Sequence, residues 1–518
     1  SALINETEKH ASTLFDVPDL HYFHNRHSEL YPLSLISTDD SRPHTIVTAP
    51  TGAGKTDFLM RRCKGRVFYT LPFQASINAM YKRFLEECLP KDTDIRVLHA
   101  SSRLVLNKQD DYEEKALQPL VGSAVKVLTP HQLAALICGT RGFETIAIDI
   151  AGTDVILDEI HSYSKTAQAM VLEIIRVLLK LGCRVHVGTA TMPSVLYEQT
   201  LRLLGGDERV YQVRLSNEQL DSFNRHTMHK HQDENLALDM VSEAIERGEK
   251  VLVVSNRVDV AQQRFKRFSE RHSDIPTLLL HSRFRRCDRS NLEQRLMDEY
   301  EKRPGPCIVV STQVVEVSLD ISFDLMITDC APLDSLIQRF GRVNRRRTKK
   351  TIEQHILKPV HIIAPPNDGT ACLPYNKKVL QDSFQRLRDS CVLRERDIQG
   401  MIDAVYPTLE VEPIDTHLVW QDDEFLLKEL CHWPSSVLME TLNIESAACI
   451  RLSDQEEYEH SKHEDRIKLE IPISHKAARY RKFTHFGHSD YGTRPLIVPD
   501  ENYDSALGLT LKEIDSFV

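Results

Sequence analysis

From Thr45 onward the chain alternates short apolar, β-branched runs with stretches of helical periodicity. The runs Thr45–Thr48, Arg66–Leu71, Ile95–His99, Val125–Thr129, Val155–Asp158 and Arg184–Thr189 predict six strands. They are apolar continuously rather than at every second residue, which predicts strands covered on both faces and hence a parallel sheet packed between helices. Residues from about 213 to 236 are polar and His-rich without clear period, and read as a linker. A second series follows at Val251–Ser255, Thr277–His281, Cys307–Ser311, Asp324–Thr328 and Val360–Ala364. Two successive α/β sheets of similar size imply tandem domains with a cleft between them. After Pro365-Pro366 the stretch Tyr375 to Ile402 reads as helical, and beyond Pro413 comes a mixed segment with Trp420 and Trp433. The expected division is 1–212 for the first domain with an N-terminal extension, 213–236 for a linker, and 237–366 for the second domain. A helical linker at 367–412 and a C-terminal accessory domain at 413–518 complete it.

Composition changes this picture little. The 518 residues suit about three domains, and 41% hydrophobic with 27% charged residues is ordinary for a globular protein. No run of eighteen apolar residues predicts a transmembrane helix, and no charged-then-apolar start predicts a signal peptide, so the expectation is a cytoplasmic protein without a membrane partner. Eleven scattered cysteines, with no C-x-x-C pair, read as free thiols in a reducing compartment rather than zinc ligands or a disulfide framework. The formal charge of −10 does not exclude nucleic acid, because phosphate contacts depend on local patches. Basic clusters occur at Arg283-Phe284-Arg285-Arg286, from Arg345 to Lys350, and at Arg479-Tyr480-Arg481-Lys482.

Three motifs carry candidate chemistry. Ala49-Pro50-Thr51-Gly52-Ala53-Gly54-Lys55-Thr56 lies between a predicted strand and a predicted helix, the context of a phosphate-binding loop. Gly52 and Gly54 let backbone N–H groups converge on a phosphate, Lys55 reaches the terminal phosphates, and the Thr56 hydroxyl suits Mg²⁺. Val155-Ile156-Leu157-Asp158-Glu159-Ile160-His161 delivers two carboxylates at the exit of a buried strand. Asp158 is placed to hold Mg²⁺ and Glu159 to orient an attacking water. His161 is a candidate for coupling the nucleotide site to the cleft. Thr189-Ala190-Thr191 ends the next strand, and its hydroxyls are candidates for bonding the acidic motif. Far downstream, Gln338-Arg339-Phe340-Gly341-Arg342-Val343-Asn344-Arg345 puts Arg342 and Arg345 on one helical face, as candidate arginine fingers acting across the cleft.

These motifs resemble those of superfamily 2 helicases, and within them the CRISPR-associated helicase of type I systems. Finer matches are Leu71 to Arg83, Asp158-Glu159-Ile160-His161-Ser162-Tyr163, Leu280 to Phe284 with Asp288-Arg289, and Ser311 to Asp320. The resemblance covers roughly residues 45 to 365. It implies an α/β fold of two tandem RecA-like parallel-sheet domains, followed by a helical linker and a small C-terminal domain. It implies an ATP site at Thr51, Gly52, Ala53, Gly54, Lys55, Thr56 and Asp320, with Mg²⁺ at Thr56 and Asp158. Catalysis would fall to Lys55, Asp158, Glu159, Gln338, Arg342 and Arg345, with coupling through His161, Thr189 and Thr191. A strand groove would be lined by Pro72, Gln74, Thr129, Pro130, Asn256, Arg283, Thr312 and Gln313, donors that suit sequence-independent phosphate contacts.

The implied activity is ATP-dependent 3′ to 5′ translocation on single-stranded DNA, after recruitment by an RNA-guided surveillance complex. Relatives with a fused nuclease carry a His-Asp dipeptide; none occurs here, so a separate HD-type nuclease is expected as partner. No glutamine precedes position 74 to read adenine, so Tyr22 or Phe23 is left as a candidate to stack on the base. An RNA helicase outside CRISPR immunity, and a nucleotide-switched strand-binding module without turnover, are the alternative readings.

Overall fold

The computed structural model describes residues 28–71, 80–81, 83–85, 93–98, 122–140, 142–160, 165–316, 321–408, 418–421, 424–425, 447–473, 484–485 and 495–511. By its contacts the chain falls into two compact units. One is Ser1–Ser222 with Ile398–Ile444, the other Phe223–Asp397 with Glu445–Val518.

The first unit is built on a seven-stranded parallel sheet. Its strands are β1 (His44–Thr48), β2 (Val67–Thr70), β3 (Ile95–Leu98), β4 (Val125–Leu128), β5 (Asp154–Asp158), β6 (Arg184–Thr189) and β7 (Val210–Arg214), in the order β3-β4-β2-β5-β6-β1-β7. Every residue of β2, β4 and β5 is buried, as the continuous apolar runs predicted. Helices α1 (Lys55–Arg62), α2 (Pro130–Cys138) and α3 (Lys165–Lys180) belong to this unit. Leu133 and Leu136 of α2 and Met170, Ile174 and Leu178 of α3 join Val155, Val185 and Val187 of the sheet in one apolar core. Burying such side chains contributes about 1.5–3 kcal/mol each.

The second unit repeats the design. Its sheet runs β10-β11-β9-β12-β13-β8-β14, from β8 (His226–His231), β9 (Lys250–Val254), β10 (Thr277–Leu280), β11 (Cys307–Ser311), β12 (Leu325–Asp329), β13 (Lys358–Ile363) and β14 (Cys391–Val392). All neighbours are parallel except β14, which is antiparallel to β8. Helices α4 (Glu234–Glu246), α5 (Val258–Arg271), α6 (Arg286–Arg295) and α7 (Leu333–Phe340) follow in chain order. Beyond them comes α8 (Lys377–Arg386); within α9 (Glu395–Val405) the chain passes to the first unit, to which the two-residue pair β15 (Trp420–Gln421) and β16 (Glu424–Phe425) also belongs. A small C-terminal sheet has the order β18-β17-β20-β19, from β17 (Ala447–Arg451), β18 (Ile471–Ile473), β19 (Thr484–His485) and β20 (Leu496–Val498). A hairpin of β21 (Tyr503–Asp504) and β22 (Gly508–Leu509) ends the described chain. No helix among the described residues is long and apolar enough to cross a membrane.

Three expectations change. Residues 213–236 are not simply a linker: they contain the end of β7, a short helix at Asn217–Asp221, and β8. The strand was hidden by its polar sequence. β8 lies next to the last strand of its sheet, where His226 and Met228 are buried and the alternate residues stay half-exposed. The stretch Tyr375 to Ile402 is not one helix. Ser390 adopts φ 51°, and Cys391–Val392 leave as β14 to pair with β8. Finally, α7 stops at Phe340, so no helix carries Arg342 and Arg345 on a shared face. Val343 instead bridges to Phe323, and Asn344 takes a left-handed φ of 50°.

Candidate nucleotide site

The strand-to-helix turn forms as the octet predicts. Gly52 has φ 91°, and Gly54, the residue before α1, has φ 94°. Both lie in the left-handed region that glycine tolerates and side chains resist. Lys55, at the start of α1, is buried. Its ammonium donates to Ala49 O at 3.0 Å and lies 3.3 Å from Glu159 Oε1. The cation that would meet phosphate is therefore held between a backbone carbonyl of its own loop and the acidic motif.

Register sets the carboxylates. Asp158 at the end of β5 pairs with Gly188 of β6, and Val47 of β1 pairs with Gly188 on the other side. A Cβ on Gly188 would lie 2.8 Å from Asp158 Oδ1 and 2.7 Å from Leu59 Cδ1, so only glycine leaves room there. Asp158 Oδ2 accepts the Tyr69 hydroxyl at 2.5 Å, while Oδ1 is buried with no hydrogen-bond partner among the described residues. Tyr69 also bonds Thr56; with its proton given to Asp158, it accepts from the Thr56 hydroxyl. Burial first, then the neighbouring Glu159, pushes the Asp158 carboxyl well above the usual carboxylate range, against the opposing pull of Lys55 and the Tyr69 bond. Glu159 itself adopts φ 55°, donates its N–H to Gly188 O at 2.8 Å, and accepts from Ala190 N–H at 3.2 Å through Oε2. A non-glycine residue held at positive φ costs about 1–3 kcal/mol, the kind of strain that collects at functional sites. The donor set, a hydroxyl and a carboxylate with one bare buried oxygen, fits a hard divalent cation completed by phosphate oxygens.

Thr189 and Thr191 are buried at the end of β6, where Thr191 N–H donates to Thr189 Oγ1 at 3.3 Å. The Thr189 carbonyl accepts Ala49 N–H at 3.1 Å, tying this strand end to the loop. Thr129 and Pro130 have a local role: Thr129 caps α2 through a capping box with Gln132, and Pro130 is its first residue. Thr51 and Ala53 lie in the loop; Ala53 is buried and Thr51 half-buried. Pro72, Gln74, His161 and Asp320, together with Tyr22, Phe23 and the basic run 479–482, lie outside the described residues.

In the second unit a buried polar network centres on Arg339, which the sequence reading passed over between Gln338 and Arg342. Arg339 is fully buried and donates to Glu316 Oε1 at 2.8 Å, Thr328 Oγ1 at 2.9 Å, Asp329 O at 3.2 Å and Asn256 Oδ1 at 3.0 Å. Asn256 gives its amide N–H to Cys330 O at 2.7 Å, and Gln313 gives its own to Asn256 O at 2.8 Å. Two of the expected strand contacts, Asn256 and Gln313, are thus engaged inside the unit. Thr312 is buried beside them, its N–H donating to Leu280 O at 3.3 Å. Arg342 is buried too, donating to Val315 O at 2.7 Å and Glu316 O at 2.6 Å. Gln338 and Arg345 are half-buried, and Arg345 N–H donates to Ser322 Oγ at 3.1 Å. Arg283 is half-buried in the turn before α6. A signal for Arg339 existed in its place on the buried face of an amphipathic helix; none existed for Tyr69, an aromatic in an apolar strand.

Known proteins agree with this layout. Residues 33–199 match the family model for DEAD/DEAH box helicases, and residues 247–348 match that for the C-terminal part of the CRISPR-associated nuclease/helicase Cas3. By fold and motif the chain is similar to superfamily 2 helicases. Within that class it resembles Cas3: the CRISPR-associated nuclease/helicase Cas3 of Streptococcus thermophilus is 26% identical over 70% of this chain and 46% of its own length. The chain spans about half the length of the curated relatives it matches. The crystal structure of T. fusca Cas3-AMPPNP superposes with a TM-score of 0.72 at 19% identity, covering 94% of this chain and 71% of that one. A chain of a CRISPR RNA-guided surveillance complex, pre-nicking, gives 0.61 at 18% identity over 91% of this chain and 68% of its own.

Proposed function

We propose that the chain is an ATP-driven motor that translocates 3′ to 5′ on single-stranded DNA in type I CRISPR interference. It is recruited by an RNA-guided surveillance complex, with an HD-type nuclease supplied by another domain or protein. The observation that carries the reading is the Lys55–Glu159–Asp158 constellation around a glycine-built loop, with one buried Asp158 oxygen left without a partner among the described residues. The T. fusca relative's AMPPNP and the other relative's surveillance complex support ATP as substrate and that partner.

In this reading Lys55 exchanges Ala49 O and Glu159 for the terminal phosphates. Its departure frees Glu159, fixed by the Ala190 and Gly188 backbone, to orient the attacking water. Thr56 and Asp158 would hold Mg²⁺, which supplies neutralisation of phosphate charge. Gln338, Arg342 and Arg345 are assigned to the γ-phosphate, and Asp320 to the nucleotide. Pro72, Gln74, Thr129, Pro130, Asn256, Arg283, Thr312 and Gln313 are assigned to the strand, and His161, Thr189 and Thr191 to coupling.

The test is ATP hydrolysis by the purified chain with no nucleic acid, with single-stranded DNA, and with RNA of matched length. Strong stimulation by DNA and weak stimulation by RNA is expected. Stimulation by RNA alone moves the reading to an RNA helicase, and none by either moves it to a partner-gated switch. Glu159→Gln should abolish turnover while keeping ATP binding; unchanged hydrolysis would remove Glu159 from its role.

A further inference from the structure

The turn that carries Arg283 is held by the far end of the chain. His281 is fully buried and stacks on Phe284, their ring centroids 4.4 Å apart. Its Nε2 bonds Leu507 O at 2.9 Å, and its Nδ1 accepts the Arg283 N–H at 3.1 Å, so Nε2 carries the ring proton. The Arg283 carbonyl accepts the Leu509 N–H at 2.8 Å. Two residues on, the Arg285 N–H donates to the Tyr503 hydroxyl at 3.0 Å, which in turn donates to Asp288 Oδ2 at 2.5 Å. Gln262 of α5 donates to Leu507 O at 2.7 Å and Leu509 O at 3.2 Å, seating the hairpin from its other side.

The hairpin is also closed by hydrogen bonds of its own. Asp504 Oδ1 accepts the N–H groups of Ala506 and Leu507 at 2.7 and 2.9 Å, closing the tip. Thr510 N–H donates to Asn502 O at 2.8 Å and closes the base. Gly508 has φ 69°, and a Cβ there would lie 2.6 Å from His281 Cε1 and 2.7 Å from the Arg283 carbonyl oxygen. Backbone meets backbone at van der Waals limit, so any side chain at 508 forces the hairpin and the turn apart.

We propose that the β21–β22 hairpin is a positioning element for the nucleic-acid strand. It clamps the backbone on both sides of Arg283, and so fixes where this residue stands for a strand phosphate. The proposal rests on the reading of Arg283 as a strand contact. Ordering a loose segment on binding costs affinity, so a turn already held in place offers its side chain to a phosphate at less cost. The hairpin holds the turn in place beforehand, through hydrogen bonds the chain makes without ligand. The hairpin and the turn both belong to the second unit, whereas the phosphate-binding loop belongs to the first, so the expected effect is on the strand and not on nucleotide affinity.

The test uses the 518-residue chain, a fluorescent oligo-dT strand read by anisotropy across a salt series, and a fluorescent ATP analogue for nucleotide affinity. The variants are Gly508→Val, Tyr503→Phe, Arg283→Ala, and Gly508→Val combined with Arg283→Ala. Gly508→Val should weaken oligo-dT binding about tenfold and lower the slope of log Kd against log salt by about one, the signature of one phosphate contact. Tyr503→Phe, which removes one hydroxyl and leaves the fold's packing in place, should weaken it about threefold. Nucleotide affinity should stay at the parent value in both. The double variant should be no weaker than Arg283→Ala alone, because the hairpin acts through that residue. Additive losses, or parental strand affinity in both Gly508→Val and Tyr503→Phe, would overturn the hairpin's role. If the parent chain fails to bind oligo-dT, or Arg283→Ala binds as the parent does, the strand reading itself falls and takes the proposal with it.

Discussion

Replacing Arg339 by Met tests the buried network of the second unit. The guanidinium is fully buried and makes four hydrogen bonds of 3.2 Å or less, to Glu316, Thr328, Asp329 and Asn256. Met fills most of the volume but leaves the Glu316 carboxylate buried without its counter-charge, a loss of about 3–5 kcal/mol. Burial already raises Glu316 above the usual carboxylate range, and Arg339 is the largest influence pulling it down. Without Arg339 that carboxyl rises further, so it binds its proton more tightly folded than unfolded. The sign follows: the folded variant is least penalised at low pH and loses stability as pH rises from the ordinary carboxylate range toward neutrality. Urea unfolding of parent and variant, followed by far-UV circular dichroism at pH 5 and pH 8, reads both effects. Adding Glu316→Gln to Arg339→Met should restore more than half of the loss at pH 8 by removing the uncompensated charge. A single-variant loss below about 1 kcal/mol, or a loss larger at pH 5 than at pH 8, would refute the argument.

Two further predictions concern the first unit. Gly188→Ala should destabilise it by about 1–3 kcal/mol in the same unfolding assay and lower ATP turnover by at least about tenfold, because the new methyl displaces the bare Asp158 oxygen; parental turnover would remove the packing argument. Asp154 is fully buried; burial raises its carboxyl, but hydrogen bonds from Arg184 at 2.6 and 2.7 Å and from His186 at 2.9 Å hold it well below the ordinary range. That stability is therefore present above the unfolded carboxylate pKa and fades as pH falls below it, so parent stability should drop between about pH 5 and pH 3 while Asp154→Asn, already weaker at pH 7, shows a shallower drop.

Much of this protein was legible before folding. Strand positions came from continuous apolar runs, because a parallel sheet covered on both faces admits little polarity inside it. The phosphate-binding loop was legible because its geometry is local: two glycines at positive φ and a following helix lie within eight residues. Periodicity could not show β8, since its polar residues alternate with buried ones only once β13 lies beside it.

Side-chain partners belong to the tertiary structure alone. Tyr69 and Asp158 are 89 residues apart and meet because β2 and β5 are neighbours in the sheet. Arg342 looked like part of a helix, yet the chain turns at Gly341, and its guanidinium donates to the carbonyls of Val315 and Glu316. Arg283 acquires its backbone partner Leu509 from 226 residues downstream through a hairpin that only Gly508 lets close. The sequence by itself determined which segments become strands, helices and a phosphate loop, because those depend on neighbours a few residues away. Which charges are buried, which carboxylate oxygen is left bare and which turn is clamped were decided by contacts between distant segments, which local pattern does not encode.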